Sequence, residues 1–253
     1  RHISVIGHSM GGLVARAALR TDAGSRIQRL ITLGTPHGGS FAPVQALRGV
    51  YPLIRRLAQL DPRHSAEALA RDVFATFHSL YQMLPRGDGL NLLDPRNWPS
   101  HGPQPNATLL DRVAMLDLGG ADPRIGSIAG FGYDTPINIA RVHDEFHYRY
   151  GAMGDGTVPT ARATLAGAEA WYCRVAHNEL PRNAQVHAAV LALLEDARPQ
   201  LPGAPPVLPD HPRSVSDDDL RAMFTTKIDW SKLDIAARRR FLDSLNESPP
   251  AIA

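Results

Sequence analysis

The chain of 253 residues is 43% hydrophobic and carries 27 basic against 25 acidic residues, a formal net charge of +2. This composition excludes a disordered chain and fits one sizeable α/β domain with an insertion, or two smaller domains. The basic residues are spread along the chain, which argues against a nucleic-acid partner. The single cysteine, Cys173, excludes an internal disulfide framework and a multi-cysteine metal site.

No apolar run approaches the ~18 residues that a membrane-spanning helix needs, so no transmembrane segment is predicted. The chain has no signal-like start, and its first residue is Arg1 rather than Met. The single cysteine favours a cytoplasmic location, where thiols stay reduced, and an N-terminus elsewhere leaves secretion open.

A strand–helix–strand unit is predicted at the start of the chain. The apolar run from Ile3 to Ile6 is of the continuous kind expected for a strand buried on both faces of a parallel sheet. A second strand, RIQRLITLG at 26–34, ends in the loop TPHGGS. The crossover rule makes the two strands parallel. The helix between them has apolar and small residues at helical spacing: Leu13, Val14, Ala17, Ala18 and Leu19.

The pattern changes over residues 41–124, which we interpret as a mainly helical cap or lid insertion. The stretch AEALARDVFATFHSLYQMLP at 66–85 predicts a helix with one apolar stripe. The next stretch, 86–106, is rich in turn formers and predicts an irregular arm. The residues of the stripe are Leu69, Val73, Phe74, Phe77, Leu80, Tyr81 and Leu84.

Strand patterns return after the cap, so residues 1–40 and 125–197 are assigned to one α/β core. Strands are predicted in RIGSIAGFGYDTP, NIARVHDEFHYRYG and AWYCRV, and a helix in AQVHAAVLALLEDA. Residues 198–215 are proline-dense and predict a stiff, extended linker. Residues 216–253 predict a helical segment, with helices over Ser216 to Phe224 and Ser231 to Leu245, each capped by its serine.

One short motif carries the predicted chemistry. The segment Gly7-His8-Ser9-Met10-Gly11 fits the pattern G-x-S-x-G, which is weak alone but gains from its context of strand before and helix after. In such a nucleophile elbow the sharp turn strains the serine, and the glycines at 7 and 11 leave room where strand and helix approach. The N–H of Met10 would be an oxyanion donor at the helix N-terminus.

A serine nucleophile needs a base, and the base needs a carboxylate that orients it. Among the 11 histidines, His177 lies in a loop after an apolar strand and before the last helix of the core. Asp155 lies in the glycine-rich loop GDGTVP. The order Ser, Asp, His is that of the α/β-hydrolases. Asp144 and Glu145 are alternative carboxylates, and His187 is an alternative base.

Four segments together resemble the lipase-type α/β-hydrolases, specifically the branch similar to lecithin:cholesterol acyltransferase: GHSMGGLVARAAL, LITLGTPHGGS, GDGTVP and AHNELPRN. The resemblance spans roughly residues 2 to 197. It implies a partial α/β-hydrolase fold and a catalytic triad of Ser9, Asp155 and His177. It also implies action on acyl esters, often lipids, by hydrolysis or acyl transfer, without a cofactor.

Two further histidines, His8 and His37, are predicted to contact substrate, with shaping of the TPHGGS loop as the alternative role for His37. The motif HDEFH has two histidines four residues apart, at 143 and 147. On a helix they could share a metal ion, but on a strand they lie ~13 Å apart. No metal site is therefore predicted.

These inferences predict a serine hydrolase of carboxylic esters, lipase- or esterase-like, that acts on small-molecule or lipid acyl esters and contacts lipid surfaces transiently. The alternatives are an acyltransferase with the same triad and a non-catalytic lipase-like module of a multidomain protein. In this fold strands precede the elbow. We expect an upstream polypeptide to supply them and the second oxyanion donor, so inactivity of the isolated fragment is one expected outcome.

Overall fold

The computed structural model describes residues 3–87, 89–208 and 212–245. Positions 209–211 of the predicted linker and 246–253 of the predicted C-terminal segment lie outside the described residues. The described residues form strands β1 (Ile3–His8), β2 (Ile27–Leu33), β3 (Ile125–Gly130), β4 (Thr135–Val142), β5 (Glu145–Gly151), β6 (Glu169–Cys173) and β7 (Arg213–Ser216).

The α-helices of the described residues are mostly short, and none of these helices is long and apolar enough to cross a membrane. They are α1 (Met10–Ala18), α2 (Ala42–Leu47), α3 (Pro52–Leu60), α4 (Ala66–Asp72), α5 (His78–Gln82), α6 (Ala107–Ala114), α7 (Ala184–Leu194), α8 (Asp217–Arg221) and α9 (Ile235–Ser244).

A parallel sheet organises the fold. Its four strands lie in the order β1, β2, β3, β6, and every neighbouring pair is parallel. The predicted fold class is confirmed: the protein is a mixed α/β structure with a parallel sheet and helices, consistent with an α/β-hydrolase-like fold. Because the strands are parallel, their carboxyl ends meet at one edge of the sheet, where the loops after β1, β2, β3 and β6 come together.

The prediction that β1 is buried on both faces is wrong. Among the described residues β1 pairs with β2 alone, so it forms an edge of the sheet. Ile3 and Ile6 are 45% and 50% exposed. Helix α1 packs through Leu13 and Ala15, whereas Val14, one of the apolar residues at helical spacing, is 63% exposed. A continuous apolar run indicates a strand, but it does not report whether both faces of that strand are covered.

Residues 41–124 contain α2 to α6, but the predicted long helix over 66–85 is broken. Helix α4 ends at Asp72, a short 3₁₀ turn follows, and α5 begins at His78. Val73 and Phe77, both predicted on the buried stripe, are 41% and 45% exposed. At the break the hydroxyl of Thr76 donates to the carbonyl of Val73 at 2.7 Å, a local bond that competes with helix continuation.

The C-terminal part of the chain is integrated into the fold rather than trailing from it. Strand β7 begins at Arg213, inside the predicted linker, and pairs antiparallel with β5 in a second sheet of order β4, β5, β7. Helix α8 has the predicted serine cap at Ser216, in a capping box with Asp219. Helix α9 is capped by Asp234 rather than by the predicted Ser231.

A buried ion pair joins helix α8 to the cap residues. Arg48 Nε donates to Asp217 Oδ2 at 2.9 Å, and both side chains are 0% exposed. The hydroxyl of Tyr148 donates to the other oxygen of the same carboxylate at 2.9 Å. Leu220 from α8 packs in the largest apolar cluster together with Phe41 from the cap. The division into core, cap, linker and C-terminal segment remains a prediction.

Candidate active site

Ser9 lies at the turn between β1 and α1, at the carboxyl edge of the parallel sheet. Its backbone has φ of 53° and ψ of −131°, a strained conformation for a residue with a side chain. Its N–H donates to the carbonyl of Leu33 at the end of β2, at 2.9 Å. This geometry agrees with the predicted elbow, since a strained serine between strand and helix is what that turn requires.

The close approach inside the elbow differs in one residue from the prediction. A Cβ added at Gly7 would lie 2.6 Å from Gly12 Cα, and one at Gly12 would lie 2.0 Å from the Oγ1 of Thr35. A Cβ at Gly11 would meet nothing within 4 Å. The need for glycine therefore falls on positions 7 and 12, because the strand end packs against the second residue of the GG pair.

Asp155 and His177 form a buried hydrogen-bonded pair. His177 Nδ1 lies 2.8 Å from Asp155 Oδ2, with the two side chains 8% and 0% exposed. The other carboxylate oxygen accepts from the backbone N–H groups of Thr157 and Val158, at 2.9 and 2.7 Å. The N–H of His177 donates to the carbonyl of Asp155 at 2.8 Å. The two loops are thus joined through both backbone and side chain.

The imidazole of His177 also reaches the elbow. Its Nε2 lies 2.9 Å from Ser9 Oγ, although the two residues are 168 positions apart in the chain. When Nδ1 carries its proton toward Asp155, the lone pair on Nε2 is free to accept the serine hydroxyl. The structure therefore brings together Ser9, His177 and Asp155. Met10 begins α1, where a backbone N–H has no acceptor within the helix.

Gly34, directly after β2, faces this pair and was not among the predicted site residues. Its φ is +53°, and an added Cβ would lie 2.9 Å from Asp155 Oδ2 and 3.1 Å from His177 Nδ1. A third contact, with Leu180, would be 2.7 Å. The signal in the sequence was a glycine directly after a strand and before TPHGGS, but only the fold shows what it faces.

The two predicted substrate-binding histidines make internal contacts. His8 Nε2 lies 2.9 Å from the carbonyl oxygen of His177. His37 Nε2 lies 3.1 Å from the hydroxyl of Thr32, and its other nitrogen is 3.5 Å from an Arg16 nitrogen. Burial, and secondly the Arg16 charge, lower the pKa of His37 to about 3. These contacts favour the loop-shaping role for His37, while substrate contact remains a prediction for both residues.

The alternative site residues lie elsewhere. Asp144 is in the turn between β4 and β5 and accepts from the N–H and hydroxyl of Ser100, which hold the pKa of its carboxyl well below the usual range. Glu145 accepts from the backbone N–H of Asp218. His187 lies on α7, with Nε2 2.8 Å from the carbonyl of Pro181. The structure does not bring these three residues to Ser9.

Metal ligands and thiols also bear on the chemistry of the site. In the part of the chain that is described, no three His, Cys, Asp or Glu side chains cluster as metal ligands would. Cys173, the last residue of β6, is buried. Burial, and secondly the Asp155 charge, raise the pKa of its thiol to about 12. The thiol is therefore unreactive at neutral pH in the folded protein.

Comparison with known families agrees with the hydrolase-like fold. Residues 1–76 match the model of the PGAP1-like alpha/beta domain, a hydrolase-like α/β family. The matched range holds the elbow and β2 but ends before Asp155 and His177. No curated protein matches the chain significantly. The match supports a general enzyme role of hydrolase type, and the lecithin:cholesterol acyltransferase-like branch remains a prediction.

Proposed function

We propose that the chain is the catalytic part of a serine hydrolase that cleaves carboxylic esters through an acyl-enzyme intermediate. The observation that carries this proposal is the continuous hydrogen-bond chain from Ser9 Oγ through both nitrogens of His177 to Asp155, at 2.9 and 2.8 Å. A serine, a base and a buried carboxylate in this order are the parts that activate a hydroxyl for attack on a carbonyl.

In the proposed reaction, Ser9 Oγ attacks the ester carbonyl carbon while His177 Nε2 takes the hydroxyl proton. Negative charge develops on the carbonyl oxygen, and in this proposal the N–H of Met10 donates to it. Collapse of the tetrahedral intermediate breaks the ester C–O bond, and the alcohol leaves with the proton from His177. Water then attacks the acyl-serine by the same proton route and releases the acid.

Asp155 has two tasks in this reaction. It keeps the proton of His177 on Nδ1, so that Nε2 faces the serine with a lone pair. It also offsets the positive charge that the imidazole gains when it takes the proton, which matters because the pair is shielded from water.

The proposal is tested by covalent labelling of the intact protein that contains this chain with a fluorophosphonate that carries a fluorophore. The wild-type chain is expected to take up one label, mapped to Ser9 by mass spectrometry, and Ser9→Ala is expected to take up none. Ser25→Ala is a matched control, because its hydroxyl is exposed and donates only to the nearby Asp22 carbonyl. Labelling that persists in Ser9→Ala, or no labelling of the wild-type chain, contradicts the proposal.

Replacing Gly34 with alanine is expected to lower the labelling rate of Ser9 and the hydrolysis of an activated ester by roughly 10², because a displacement near 1 Å has effects of that size. The new Cβ would press on Asp155 Oδ2 and His177 Nδ1 and move the pair off Ser9. The rates are measured with the folded state checked by circular dichroism.

Gly167→Ala is the matched control for this substitution. Gly167 also has a positive φ, of +85°, but an added Cβ there meets only the Ala121 side chain, at an ordinary 3.5 Å. It therefore reports the backbone strain alone. Equal rates in the Gly34→Ala and Gly167→Ala proteins would show that Gly34 is not needed for room at the pair.

A further inference from the structure

His8 joins the elbow to the loop that carries the imidazole. It is the last residue of β1, directly before Ser9, and its side chain is partly buried. Its Nε2 lies 2.9 Å from the carbonyl oxygen of His177. Its ring centroid lies 4.8 Å from that of His177, at an interplanar angle of 42°. Ser9 and His8 therefore touch the same residue, one through the imidazole Nε2 and the other through the backbone and the ring face.

The direction of this hydrogen bond sets the tautomer of His8. A carbonyl oxygen only accepts, so His8 Nε2 must carry the proton and donate. The backbone N–H of His177 is bonded on its other side, to the carbonyl of Asp155 at 2.8 Å. His177 is thus held from two directions, by the Asp155 loop through its N–H and by the elbow through its carbonyl. Loss of the His8 bond would leave its carbonyl without this partner.

We propose that His8 is a positioning residue of this site, which through its Nε2–H and ring face keeps the His177 imidazole aimed at Ser9 Oγ. The expected effect of His8 on reaction rates rests on the proposed function. Its expected effect on the orientation of the His177 imidazole rests on the geometry alone. In this proposal His8 holds the base, His177, in position and does not contact the substrate.

The charge state of His8 suits this task. Burial, and secondly the neighbouring His177, lower its pKa, against smaller opposing effects of the His177 carbonyl and Asp155. His8 therefore stays neutral at neutral pH. A neutral ring can pack on His177 while that imidazole becomes positively charged during proton transfer, whereas a charged His8 at this distance would oppose that step.

Two variants separate the hydrogen bond from packing. In His8→Gln the side-chain amide can reach the same carbonyl and donate, whereas His8→Met fills similar space without a donor. We expect His8→Met to lower kcat and the Ser9 labelling rate roughly tenfold, the rate equivalent of one neutral hydrogen bond, with KM nearly unchanged. His8→Gln is expected to recover most of that loss. Unfolding midpoints of both variants are measured beside the rates.

Proton NMR gives a readout that does not depend on catalysis. The ring Nδ1–H of His177, bonded to the Asp155 carboxylate, should give a low-field signal because this hydrogen bond slows exchange of the proton with water. Asp155→Asn identifies the signal by removing it. We expect the signal in the wild-type and His8→Gln proteins, and its broadening or loss in His8→Met. No labelling of the wild-type chain together with this NMR pattern would overturn the proposed function and leave the positioning role standing.

Three results would overturn the positioning role. The first is a His8→Met protein with the labelling rate and the low-field signal of the wild type. The second is an equal fall of the labelling rate in His8→Gln and His8→Met that parallels the fall of their unfolding midpoints, which would show a packing role only. The third is a wild-type protein without the low-field signal, which would show that the imidazole is not held as the geometry requires.

Discussion

Replacing Asp155 with asparagine is expected to lower the turnover of an activated ester about 10⁴-fold, while the fold and the position of Ser9 stay intact. The reason lies in how the carboxylate is held. Its Oδ1 accepts from the N–H groups of Thr157 and Val158, at 2.9 and 2.7 Å. These donors will keep the amide oxygen of asparagine on their side and turn its NH₂ group toward His177.

The reversed amide changes the tautomer of the base. An NH₂ group donates, so Nδ1 of His177 must accept, and the proton of the imidazole moves to Nε2. Nε2 then faces Ser9 with a proton instead of a lone pair and cannot take the serine proton. The expected signature is a collapse of kcat at neutral pH with KM little changed, measured by steady-state kinetics on a soluble ester.

Asp144→Asn is the matched control, since it also exchanges a hydrogen-bonded carboxylate for an amide. Asp144 lies beyond the far end of β4, on the order of 20 Å along that strand from Thr135, whose hydroxyl bonds the Asp155 loop. Its turnover is expected to stay within about twofold of the wild type. Similar kcat values for the Asp155→Asn and wild-type proteins would remove Asp155 from the proposed mechanism.

Replacing Arg48 with methionine is expected to lower the free energy of unfolding by about 3–5 kcal/mol, a large share of the stability of most domains. Methionine fills the space of the arginine stem but leaves the buried Asp217 carboxylate with only the more distant Arg221, at 3.4 Å, and the Tyr148 hydroxyl as partners. The substitution also removes the bonds, both 2.8 Å long, that Arg48 donates to the carbonyls of His101 and Pro103. Urea unfolding followed by tryptophan fluorescence measures the change.

Arg71→Met provides the comparison for an exposed ion pair. Arg71 Nε lies 2.9 Å from Asp72 Oδ1, the same distance as in the buried pair, but the side chains are 62% and 55% exposed. Water already solvates both charges there, so the expected change is within about 0.5 kcal/mol. If the two variants lost equal stability, burial would not explain the contribution of the Arg48–Asp217 pair to the free energy of unfolding.

The sequence allowed the elbow and its partners to be predicted because their signals are local. A strand, a strained serine and a helix follow one another within a few residues, and the loops around Asp155 and His177 carry turn formers beside apolar strands. Parallel pairing then places the ends of β1 and β6 at one edge of the sheet. The convergence of Ser9 and His177 follows from that topology, whereas Asp155 follows β5 of the second sheet and reaches this edge through a bridge to Tyr133, just after β3.

Other features depend on neighbours that are distant in sequence, and these were not predicted. The exposure of Ile6 depends on what covers its face of β1, and an apolar residue type carries no information on this. The exposure of Phe77 follows from a helix break that tertiary packing tolerates. The pairing of Arg48 with Asp217 joins residues 169 positions apart, and neither lies in a recognisable motif.

The only thiol of the chain, that of Cys173, can be used to measure local opening near this site. Cys173 is buried at the end of β6, where burial and the nearby Asp155 charge raise the pKa of its thiol. The folded sheet therefore protects this thiol from reaction. Reaction with an alkylating reagent therefore requires the sheet to open beside the carboxylate. The rate at which Cys173 is alkylated therefore measures local opening of the sheet. An inhibitor bound to Ser9 should lower this rate, and the native cysteine serves as the probe.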